Sequence, residues 1–206
     1  MKTPEVAQIQ ADLQKYLRGK GALFSPGIEK VIAHVGRFTS DILQSGFQTA
    51  FEQLGSTADA RADRPFIEVC DAIVEQHVRF LNKRDRELMA KSLLEAYIYA
   101  AGTEHAFEPL ARTRMVASLR RRGTKGFATA FLSLHLFNLI SIEIQDDVRM
   151  KAPDLKSFEL YMLWIETACR EIVSSAMSIP DGCFDEKWAA AVCADIERRL
   201  LDSHHS

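Results

Sequence analysis

The chain has 206 residues, 47% hydrophobic and 26% charged, and its 26 basic and 28 acidic side chains leave a formal net charge of −2. That length buries one sizeable core and no stretch of disordered composition divides it, so a single helical domain over residues 1–206 is expected. A near-neutral balance gives no global electrostatic reason for nucleic acid or an anionic membrane as partner, which leaves only local clusters to consider.

The four cysteines, Cys70, Cys169, Cys183 and Cys193, show no CxxC spacing, and "MKTPEVAQIQADLQKYL" lacks the apolar run of a signal peptide. A reducing, cytoplasmic setting is expected, with each cysteine acting as a small core hydrophobe.

Thr3 and Pro4 have the types of an N-cap and a first helical residue, opening an amphipathic segment that ends by Gly19 or Gly21. Ser25 and Pro26 repeat the device. The helix they open carries Ile28, Val31, Ile32, Val35, Phe38, Ile42, Leu43, Phe47, Ala50, Phe51 and Leu54 as one stripe, and Gly55 stops it. Gly36 and Gly46 within it cost about 1 kcal/mol each relative to alanine, so they are expected where a neighbouring backbone comes close. The stripe is about 40 Å long, and it makes Phe47 and Phe51 candidates for a surface of self-association or for a partner protein.

"STADARADR" is loop-like. Further helices are predicted for Pro65 to Leu81, Arg84 to Ala101, Glu108 to Arg122, Lys125 to Met150, Asp154 to Met177 and Cys183 to Leu201, separated by Gly102, Gly123, Pro153 and Pro180. No period-two strand and no internal repeat appears. The expectation is an all-α, single-domain, irregular bundle of seven to eight helices. Phe127 to Ile142 is nearly continuous apolar sequence, but it spans only about 24 Å and carries His135 and Asn138, so it is expected as a buried core helix rather than a membrane span.

That helix ends in acid. Leu132, Leu136, Leu139 and Ile140 form a stripe that Glu143, Asp146 and Asp147 continue on the same face, near a C-terminus whose dipole disfavours negative charge. Three arrangements relieve the repulsion: a solvated last turn, an arginine, or a divalent cation such as Mg²⁺ or Ca²⁺. The cation would make the chain a metal-dependent enzyme. The DDxxD pattern of polyprenyl synthases is not completed, since Met150 stands at its last position.

A basic counterpart, "RTRMVASLRRRGTKG", holds Arg112, Arg114, Arg120, Arg121, Arg122 and Lys125. Arg120 to Arg122 precede Gly123, where the helix dipole favours cations without a partner. As an anion site the cluster would make the chain a nucleic-acid or other anion-binding regulator, although its charges point around the helix with no aromatic side chain interleaved. Arg112 falls within the apolar arc of Met115, Val116 and Leu119. It is expected either at a frayed first turn or as a half-buried charge facing a carboxylate such as Glu143 or Asp147.

His77, on the apolar face of Cys70, Ile73, Val74 and Leu81, and His135, between Leu134 and Leu136, are candidate metal or haem ligands, but neither belongs to an HxxxH or ExxH pair. Hydrogen-bonded core histidines are the simpler account. No GxSxG elbow and no glycine-rich phosphate loop occurs, and no cofactor is indicated. The functional expectation is a non-catalytic regulatory or protein-interaction domain whose helices either bind a partner protein or enclose a small apolar ligand.

Overall fold

In a computed structural model, the residues described are 22–53, 66–102, 109–177 and 184–202. The segment opened by Thr3, the "STADARADR" stretch and Cys183 lie outside them. Among the described residues every regular element is a helix and there is no strand.

Helix α1 spans Ile28–Ser45 and, after a break at Gly46, is followed by the seven-residue segment Phe47–Gln53. The other helices are α2 (Phe66–Val78), α3 (Lys83–Ala101), α4 (Pro109–Lys151), α5 (Leu155–Ala176) and α6 (Glu186–Asp202). Among the described residues these six fall short of the expected seven to eight. The helix predicted after Thr3 lies outside the described residues, and in α4 the two helices predicted on either side of Gly123 run together as one 43-residue element. Gly123 still interrupts it. Its backbone, at φ 71 and ψ 171, lies in a region that L side chains rarely adopt, so glycine permits a kink there rather than a stop.

The two glycines predicted inside α1 behave differently from one another. A β-carbon on Gly36 would stand 2.4 Å from Cβ of Phe184, so the close approach at this position is by the side chain of the residue leading into α6 and not by a backbone. Gly46, at φ 88, has nothing within 4 Å of such a carbon and instead ends α1 by its backbone conformation.

Side-chain caps set the starts of three helices. Asn82 accepts from the Asp85 amide, Asp154 from the Ser157 amide at 2.7 Å, and Asp185 from the Trp188 amide at 2.7 Å, each satisfying a first-turn donor.

Helix α4 occupies the centre, packed most extensively against α3 and α5 and also against α1, which in turn meets α2 and α6. Its inward residues Met115, Leu119, Phe131, Leu132, Leu136 and Ile140 are fully buried, as are Ile32 and Ile42 of α1 and Met89, Leu93 and Tyr97 of α3. Over Leu110–Lys151 this helix is long and apolar enough to cross a membrane by length and composition, and half of its most apolar window is buried inside the fold. Cys70, Cys169 and Cys193 are buried, and burial pushes each thiol well above its ordinary range.

Candidate functional site

The acid-ended helix is answered from α3. Arg84 Nη2 lies 3.9 Å from Glu143 Oε1 on a largely exposed surface, while Asp146 and Asp147 are exposed. Such a loose, wet pair contributes little stability. Among the described residues no group of three or more His, Cys, Asp or Glu side chains is placed to hold a metal ion. Arg112 is half-buried, but its guanidinium sits 5.3 Å over the Phe47 ring, with its charge felt by the Tyr97 hydroxyl.

Phe47 is thereby packed within the chain, its ring also edge-on to Phe38 at 6.2 Å. The α1 stripe from Ile28 to Ile42 is turned into the core. The side chain of Phe51 lies outside the described residues.

The two candidate histidines are found in different settings. His77 Nε2 lies 2.7 Å from Nδ1 of His34 on α1, so one imidazole donates and the other accepts. Desolvation lowers both, His34 to about 4, with the charges of Arg37 and, for His77, Lys30 acting in the same direction and Glu186 opposing at His77. Near pH 7 both rings are therefore neutral.

His135 is buried between Phe24 and Phe131, with ring centroids 6.3 and 5.9 Å away, and burial pushes it down to about 4. Its Nδ1 is 3.2 Å from Ser92 Oγ. The Ser92 hydroxyl donates to the Leu88 carbonyl at 2.7 Å, so it can only accept from the ring, and the proton is assigned to Nδ1. Asn138 completes the network by donating to Ser92 Oγ at 3.1 Å and to Glu95 Oε2 at 2.7 Å. These contacts join α3 to α4 inside the core.

The concave feature that gathers chemistry lies elsewhere, between α3, α4 and α5. Tyr99, Thr129, Ala130, Ser133, Leu134, Glu166, Arg170 and Ser174 line a cleft of about 150 Å³. At its edge the guanidinium of Arg122 is 4.9 Å from the Tyr99 ring centroid and that of Arg170 is 5.9 Å from it. A hydrogen bond from Arg122 holds the Tyr99 hydroxyl below its ordinary range, and the charges of Arg122, Arg170 and Arg121 add to the effect.

Arg170 is oriented by donating to Glu166 Oε1 at 2.8 Å, one helical turn before it. The wall is quieter. Thr129 donates its hydroxyl proton to the Lys125 carbonyl at 2.8 Å and Ser133 donates to the Thr129 carbonyl at 2.7 Å, so both hydroxyls face the cleft with acceptor capacity alone. Ala130 and Leu134 make the rest of that wall apolar.

Of the expected anion-binding residues, Arg122 does not line the cleft but reaches it by contacting Tyr99, on which Arg121 also acts through charge, whereas Arg112 lies against Phe47. Arg120 is exposed, and Lys125 supplies the carbonyl that Thr129 bonds. Tyr99, Glu166 and Arg170 were not predicted. Their only mark in the sequence is that each is a polar or amphipathic side chain on an otherwise ordinary amphipathic helix. No protein-family model, no curated protein and no solved structure matches the chain, so a functional reading rests on this geometry.

Proposed function

We propose that the chain is a non-catalytic regulatory domain that binds a small molecule in the cleft between α3, α4 and α5. The observation that carries this reading is a concave site of about 150 Å³, apolar along Ala130 and Leu134, with Tyr99 and Arg170 in its lining and the guanidinium of Arg122 held against the Tyr99 ring. A largely apolar body with a few placed polar groups is the general form of a ligand site.

Two features favour binding over catalysis. The Glu166 carboxylate is engaged by Arg170, and His135, the best shielded base, serves the α3–α4 core instead. A regulatory role follows from position: Arg122 immediately precedes the kink at Gly123, so a ligand held by Arg122 and α5 would fix the angle between the two parts of α4. A ligand that contacts two such angles differently would shift the balance between them.

Filling the cleft tests the reading. Ala130→Phe should leave helicity intact but remove the rise in melting temperature produced by a small aromatic compound, which for the parent is worth about 2.7 kcal/mol at a hundredfold excess over Kd. An equal rise in parent and variant contradicts it.

A further inference from the structure

We propose that the cleft accepts a carboxylate carried on a single aromatic ring or a short acyl chain, with the apolar part against Ala130 and Leu134 and the carboxylate at Arg122 and Arg170. This rests on the reading that the cleft is the ligand site, and it commits that reading to one class of molecule.

Size sets the first limit. A volume of about 150 Å³ equals that of an engineered apolar cavity in another protein that takes up benzene, so one ring or a chain of about six carbons fills the space. A nucleotide or an oligosaccharide would extend beyond the cleft.

Hydrogen-bonding capacity sets the second. The protons of Thr129 and Ser133 are committed to backbone carbonyls, so those two hydroxyls offer a ligand no donor. A ligand rich in acceptors along its length would leave them unsatisfied against this side, at a cost that disfavours it. Donors are concentrated instead at the arginine end, where two guanidinium groups bring five N–H bonds each in a planar fork that matches a carboxylate.

Charge sets the third. Arg170 is already balanced by Glu166, whereas Arg122 is bonded to a neutral phenol with Arg121 adding positive potential behind it. Negative charge on the ligand answers that imbalance.

The Tyr99 ring has a part in selectivity. Both guanidiniums contact it, so each is held against an aromatic support. Less side-chain freedom remains to be lost when the ligand arrives.

The test uses the full chain, with benzoate and hexanoate as probes and benzyl alcohol as the uncharged counterpart of benzoate, followed by calorimetry and by the chemical shifts of Ala130 and Leu134 methyl groups. Arg122→Gln should weaken benzoate at least tenfold and leave benzyl alcohol unchanged; Arg170→Gln should do the same; Arg114→Gln, an exposed member of the same basic cluster, should alter neither. Both cleft arginines are exposed, so their variants are expected to stay folded, which a melting curve checks. Equal affinity for benzoate and benzyl alcohol, or benzoate affinity unmoved by Arg122→Gln, overturns the carboxylate assignment while keeping the cleft as a ligand site. Failure of all three probes to shift the Ala130 and Leu134 methyl signals overturns the cleft reading itself.

Discussion

Acid should loosen this fold through His135, and the size of the effect follows from its burial. The ring is neutral in the folded chain, where burial pushes it down to about 4, but in the unfolded chain it titrates at its ordinary value of 6.5. Below that value the unfolded state gains a proton that the folded state refuses, so stability falls as pH drops from 6.5 towards 4 and levels off beneath. With those two values, linkage removes about 2 kcal/mol between pH 7 and pH 5 through this residue alone.

His135→Phe isolates the term, because phenylalanine keeps an aromatic ring between Phe24 and Phe131 and cannot titrate. The variant should lose about 1 kcal/mol at pH 7, since Ser92 is deprived of the ring's N–H. Its further loss on going to pH 5 should be smaller than the parent's by about 2 kcal/mol. Urea unfolding at the two pH values, followed by circular dichroism, reads both numbers. An identical pH dependence in parent and variant would refute the argument, and it would place the acid sensitivity on His34 and His77 instead.

Other substitutions test the packing and the other sites expected from the sequence. Gly36→Ala places a carbon 2.4 Å from Cβ of Phe184, so it should destabilise by about 1–3 kcal/mol in thermal melts despite alanine's better helix propensity. Glu143→Gln removes a long, exposed ion pair and should change stability by no more than about 0.5 kcal/mol, with the melting temperature of the parent unmoved by EDTA. Phe47→Glu strips Arg112 of its aromatic partner and puts a carboxylate beside Phe38, so it should lower stability as judged by urea unfolding; a lower mass in solution with stability preserved would assign Phe47 to an interface instead.

Periodicity made the core legible. Leu132, Leu136 and Ile140 are buried where the 3.6-residue repeat puts them, and the stripe of α1 up to Ile42 behaves likewise. Gly123 was legible as a boundary, but glycine next to helix formers does not say whether the chain stops or bends, and here it bends.

Partners across helices were not legible. Glu143 meets Arg84 and Arg112 meets Phe47 because α3 and the segment after Gly46 pack beside α4, and nothing local in "IQDDVRM" or "RTRMVASL" encodes which neighbour arrives. The cleft was hidden for the same reason. Tyr99, Ser133 and Arg170 stand on three helices, and each alone has an ordinary reason to be there: a rim aromatic, a hydroxyl bonded back to its own helix, and one half of an i, i+4 ion pair. Arg122 could be singled out as a cation, but not as one that points at Tyr99.

The central claim is that a ligand binds in the cleft beside Tyr99, and the phenol offers a direct signal. In the free chain Arg122 holds its hydroxyl below the ordinary range. A carboxylate that takes over the guanidinium should therefore raise the Tyr99 titration midpoint, followed by tyrosinate absorbance or by the ring carbon shift, and Arg122→Gln should raise it without ligand. A midpoint that stays put when saturating benzoate is added, in a chain to which benzoate measurably binds, would place the ligand somewhere other than this cleft.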